Sequence, residues 1–173
     1  VLVVARTLAE AVGAQIPEAT LAAEALGVAT GSPPPARRLG APDLPAEASV
    51  AAAFSHVVGH LTDVILYHAP RAAAPDCPPE AVHQARVAVR RLRSAIAIFR
   101  PAIGCDAVTA ADTHLRQLAA ALGPARDWDV FMTETAPAIT AVLPGDERLQ
   151  RLLAAAARRR SAAHATLTTH VES

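Results

Sequence analysis

Between residues 82 and 99 apolar side chains recur at alternating intervals of three and four: Val82, Ala85, Val89, Leu92, Ile96 and Phe99. A helical turn takes about 3.6 residues, so these six share one stripe, and so regular a stripe has to be buried against another element. A similar pattern (Val50, Phe54, Val57, Val58, Leu61, Val64, Ile65, then Tyr67 and His68) marks a helix over residues 46–69 that ends before Pro70. A third runs from about Ala107 through Leu115, Leu118 and Leu122. Gly123-Pro124 is expected to kink or interrupt it before it restarts toward Thr135. A last helix covers Asp146 to about Thr169, with Leu149, Leu152, Leu153 and Ala156 as its apolar stripe. No segment reads as a strand, and the connections are short. The fold class that follows is all-α: an antiparallel four-helix bundle.

Composition supports this. The 173 residues are 52% hydrophobic, mostly alanine, and only 3% aromatic, which favours closely packed helices over sheets and suffices for one ordinary domain. Upstream of the bundle, residues 3–12 and 18–29 read as two short helices, an N-terminal helical tail over 1–29. Residues 31–45 hold five of the fourteen prolines, so 30–45 reads as a semi-rigid linker and 46–173 as the domain proper. The chain starts without methionine and both ends read as cuts through a longer protein.

Formal net charge is zero, but its distribution is uneven. Between Ala81 and Cys105 stand Arg86, Arg90, Arg91, Arg93 and Arg100 with no Asp or Glu, a local charge of about +5 in which no arginine has an acidic partner at i,i+4. His83, Arg86, Arg90 and Arg93 fall within roughly a quarter turn of one another, beside the apolar stripe. An amphipathic helix normally presents a solvated face of mixed sign; a face of one sign is suited to an external anion. All sixteen basic residues are arginine, whose planar fork binds phosphate or carboxylate oxygens in pairs. Zero net charge argues against a protein that coats nucleic acid or acidic membrane generally.

A second constellation is Leu122-Gly123-Pro124-Ala125-Arg126-Asp127-Trp128-Asp129-Val130. Two residues apart on a helix, Asp127 and Asp129 point some 200° away from each other and do not suit one metal ion. Asp127 is expected to orient an arginine of the neighbouring helix in a structural clamp, while Arg126 either joins that clamp or faces the anion groove. Elsewhere the sequence offers less. His56 and His60 have the spacing of a metal pair without a third ligand. His114 and His164 read as isolated surface residues, and Arg158-Arg159-Arg160 as ordinary solvation. Nucleophile-elbow, P-loop and dinucleotide motifs are missing, so catalysis has no visible seat, and no cofactor is called for. No run of about 18 apolar residues indicates a membrane span. Cys77 and Cys105 have neither metal nor framework spacing, consistent with a reduced, cytoplasmic setting.

Val82-His83-Gln84-Ala85-Arg86 through Arg90-Arg91-Leu92-Arg93 to Phe99-Arg100, followed by Leu115-Arg116-Gln117-Leu118 and Leu122 to Val130, closely resembles the CHAD family, the conserved histidine α-helical domain. The resemblance covers about residues 46–173. It implies a helical domain of two similar four-helix bundles around a basic cavity that binds inorganic polyphosphate, localisation to polyphosphate granules in bacteria, and no catalytic activity of the domain itself. The cavity residues it implies here are His83, Arg86, Arg90 and Arg93, with Arg116 and Arg126 beside them. No second histidine–arginine helix follows Val130, so the chain is expected to hold the first bundle and one cavity wall, the other lying beyond Ser173. The tail and linker resemble the connector between a CYTH domain and a CHAD domain, which gives an alternative role as accessory domain of a CYTH-type triphosphate hydrolase. Specific nucleic-acid binding is not expected, because few aromatics are available to stack on bases.

Overall fold

The computed structural model describes Leu44 and residues 46–172; the tail expected at 1–29 and all of the linker expected at 30–45 except Leu44 lie outside the described residues. Four long helices carry the fold: α1 (Val50–Ala73), α2 (Pro79–Ile103), α3 (Asp106–Val130) and α5 (Glu147–Glu172). A π turn (Phe131–Thr135) and the short α4 (Ala136–Val142) connect α3 to α5. Helix α1 packs on α2, α2 on α3, α3 on α5 and α5 back on α1, which closes an antiparallel ring. Among the described residues no strand occurs. The all-helical expectation is met.

The seam is built from small side chains. On α2, Val82, Ala85, Ala88 and Val89 are wholly buried, with Leu92 and Ile96 nearly so. Facing them are Leu61, Val64, Ile65, Ala69 and Ala72 of α1 and Ala121, Leu122 and Ala125 of α3. Phe99, expected on the stripe, is half-buried against Phe54, ring centroids 5.4 Å apart. By length and composition α1, with a mean hydropathy of 1.3, would suit a bilayer span, but its apolar stripe is the face packed on α2 and α5.

Helix α1 ends later than expected, and α2 also carries a proline in its last turn. Helix α1 continues past Pro70 to Ala73, and α2 past Pro101 to Ile103. A proline in the last turn forfeits one ladder bond. At Pro70 the freed carbonyl belongs to Leu66, and both residues lie on the exposed face where water can replace the lost N–H. Arg71 covers this end, donating from Nη1 to the Tyr67 carbonyl at 2.6 Å and stacking over the Tyr67 ring. Thr168 of α5 donates to the Ala73 carbonyl at 2.8 Å, satisfying a terminal acceptor and tying α5 to α1. At the end of α2 Gly104 donates to the Arg100 carbonyl at 2.9 Å, and an added Cβ would stand 2.9 Å from that same oxygen, so the tight exit needs glycine.

Of the kink or interruption expected at Gly123-Pro124, the interruption is absent: α3 runs unbroken to Val130. Pro124 and Ala120, whose carbonyl it deprives, both face solvent, while Leu122 and Ala125 on either side are fully buried and hold the helix to the core. The irregularity comes later, as the π turn. Helix α5 is capped by Asp146, whose Oδ1 accepts from the N–H groups of Arg148 (2.7 Å) and Leu149 (3.0 Å). Gly145 before it has φ +78, a backbone conformation that suits glycine. Leu149 and Ala156 are buried as expected, but Leu152 is 54% exposed and Leu167 takes the buried place further along the stripe.

Candidate anion-binding site

Helix α2 begins on Pro79 with Glu80 in its first turn, a good start for a helix whose N-terminal end is positive. Its buried face settles which side its cations occupy. Arg86, Arg90 and Arg93 line one groove, of about 380 Å³, together with Ser94 and Ala97 of the same helix and Ala119 of α3. Arg86 and Arg90 are exposed, and neither has a carboxylate partner among the described residues. From His83 to Arg93 the stripe extends about 15 Å along the helix.

The segment is not wholly unpaired, as its own sequence implied. Asp112 of α3 reaches across the α2–α3 seam and accepts from Arg93 Nε at 3.1 Å, Arg100 Nη2 at 3.4 Å and Arg116 Nη2 at 3.2 Å. The Arg93 hydrogen bond, with the charges of Arg93 and Arg116, holds the Asp112 carboxyl below the usual carboxylate range against the opposing effect of burial. The missing negative charge is thus supplied at one end of the stripe, from the next helix. It escapes a reading of α2 alone because the partner lies 19 residues away in sequence.

The other expected site residues are placed less tightly. Arg116 stands on α3 in the Asp112 cluster, exposed and outside the groove lining. His83 and Arg126 are half-buried and also outside it. Since α2 and α3 run antiparallel and Asp112 lies level with Arg93 and Arg100, the fourteen residues from Asp112 to Arg126 lead back along α2 to about the level of His83. His83 and Arg126 therefore belong to the same end of the seam, Arg86 and Arg90 to its middle, and Arg93 and Arg116 to the Asp112 end.

The clamp expected at Asp127 is formed by Asp129 instead. Asp127 is exposed, whereas Asp129 is fully buried and accepts from Arg160 Nε at 2.6 Å and, through the same oxygen, meets His164 Nε2 at 3.0 Å. Arg160 is thereby taken from the solvated run, and His164, read as a surface residue, has a side chain only 16% exposed. The spacing carried the signal. Leu122, Ala125 and Asp129 continue one three–four stripe, as do Ala156, Arg160, His164 and Leu167, so the inward carboxylate and its partners stood on the core-facing positions.

A family model for the CHAD domain matches residues 56–173. The chain belongs to the CHAD family. The crystal structure of the CHAD domain from the plant Ricinus communis is similar to this CHAD chain at a TM-score of 0.65 and 31% identity, over 79% of this chain and 45% of that one. The present chain thus spans less than half the length of that structure. No curated protein matches it.

Proposed function

We propose that this CHAD chain is a binding module for inorganic polyphosphate, held in the groove of Arg86, Arg90 and Arg93 and extended along the seam by His83, Arg116 and Arg126. The observation that carries the reading is the convergence of three guanidiniums on one open groove, two of them with no carboxylate partner among the described residues. Guanidinium forks bind phosphate oxygens in pairs, and a linear polyanion placed along the stripe releases condensed counterions as it binds. Ser94 adds a hydroxyl, although its Oγ already donates to the Arg90 carbonyl at 3.1 Å. The groove lining contains no aromatic ring, which disfavours single-stranded nucleic acid as the ligand. In this role the stripe binds and contributes no catalytic group, and the module would bring the protein that carries it to polyphosphate granules in the cytoplasm.

The test is isothermal titration of long-chain polyphosphate into the chain and into an Arg86→Ala/Arg90→Ala/Arg93→Ala variant, with single-stranded RNA as competitor at moderate salt. Binding by the parent, lost in the variant and resistant to RNA, supports the reading. Equal binding by the variant removes the site, and displacement by RNA removes the ligand.

A further inference from the structure

A second cavity, of about 270 Å³, lies where the α1–α2 connection meets α5, lined by Pro75, Cys77, Arg160, Ser161, His164 and Thr168 among others, none shared with the arginine groove. Cys77 Sγ is 3.3 Å from His164 Nδ1, and His164 Nε2 is 3.0 Å from Asp129 Oδ1. A carboxylate only accepts hydrogen bonds, so a neutral imidazole in this position donates from Nε2 to Asp129 and turns its Nδ1 lone pair to the thiol. Burial and the Asp129 carboxylate push the Cys77 thiol up, with Arg160 opposing, so Sγ keeps its proton at neutral pH and donates it to Nδ1. A helix clamp needs only Asp129 and Arg160. A thiol and an oriented base opening together on a cavity are more than a clamp requires, and they stand in the nucleophile–base–carboxylate order of acyl-transfer triads.

We propose that Cys77, His164 and Asp129 form a nucleophilic thiol site that accepts acyl groups from small activated esters or thioesters. Sγ bonds to the carbonyl carbon as its proton passes to His164 Nδ1, and Asp129 stabilises the imidazolium so formed. Arg160 uses Nε on Asp129 and also lines the cavity, so its terminal nitrogens are the donors available to the carbonyl oxygen as negative charge develops there. Collapse breaks the bond to the leaving oxygen or sulfur, which takes the proton from Nδ1, giving a thioester on Cys77 and a free alcohol or thiol. The cavity lies at the small end of ligand pockets and limits the acyl group to a short chain.

The experiment treats the full chain with p-nitrophenyl acetate near pH ~7 and follows acetylation of each cysteine by mass spectrometry. Cys105, exposed and free, serves as internal standard. Cys77 is expected to react at least about ten-fold faster than Cys105 despite its burial, and His164→Gln to lower the Cys77 rate by about ten-fold or more while leaving the Cys105 rate unchanged. A Cys77 rate at or below that of Cys105, or one unaffected by His164→Gln, overturns the proposal. Should circular dichroism show that His164→Gln does not fold, the ratio of the two rates in the parent chain decides alone.

Discussion

Arg93 meets Asp112 through Nε at 3.1 Å, a contact that fixes the direction of its stem and, among the described residues, leaves both terminal nitrogens of the guanidinium without a carboxylate partner. Arg93 is therefore both a member of an ion cluster and a wall of the groove beside it.

The cluster makes stability depend on acid in a defined sense. The Asp112 carboxyl is held below its ordinary value in the folded chain, so its contribution is complete above the ordinary carboxylate range and is lost as pH falls through the lowered value. Asp112→Asn is expected to cost about 1 kcal/mol at neutral pH, kept small because the three guanidiniums are 35%, 46% and 66% exposed and screened by solvent. Urea midpoints of the parent and the variant should differ at neutral pH and converge as pH falls below the lowered carboxyl value.

Salt dependence separates the groove arginines from their neighbour. If polyphosphate lies along the stripe, Arg86→Ala and Arg90→Ala should each lower the slope of log affinity against log salt by about 1. Arg91→Ala, whose side chain is exposed but turned about 100° from Arg90, should leave affinity and slope unchanged. Titrations at three salt concentrations read all three variants.

The two aspartates near the end of α3 should behave oppositely. Asp129→Ala leaves the half-buried Arg160 and His164 without their shared acceptor and is expected to cost about 2 kcal/mol in chemical denaturation. Asp127→Ala, on the exposed side, should stay within about 0.5 kcal/mol of the parent.

Glycines divide in the same way. Gly123 lies inside α3 with no atom within 4 Å of an added Cβ, so Gly123→Ala should stabilise by up to about 1 kcal/mol. Gly145 also has space, but its φ of +78 strains an alanine, and Gly145→Ala should destabilise by about 1 kcal/mol. Thermal melts of the two variants should shift in opposite directions.

Much of this architecture was legible in residue spacing. The α2 stripe from Val82 to Ile96 and the arginines beside it are where periodicity put them, because a regular repeat reports one helix at a time. Pairing between helices was not legible. Asp112, Asp129, Arg160 and His164 find partners 12 to 87 residues away by hydrogen bond, except for the local Arg116 contact, and such partners depend on which elements become neighbours. Proline is a weak stop in this bundle: Pro70, Pro101 and Pro124 are all exposed, where losing one ladder bond to water is tolerable.

The alanines of the α1–α2–α3 seam have a consequence for mutational work. Ala69, Ala72, Ala81, Ala85, Ala88, Ala121 and Ala125 are all under a tenth exposed, four of them at or near zero. Replacement by alanine, the usual probe of a core, has nothing to remove there, so a conventional scan would pass over the tightest part of the bundle in silence. Sensitivity runs in the other direction: each added methylene forces two backbones apart, and valine or leucine scanning is the probe that would make this interior visible.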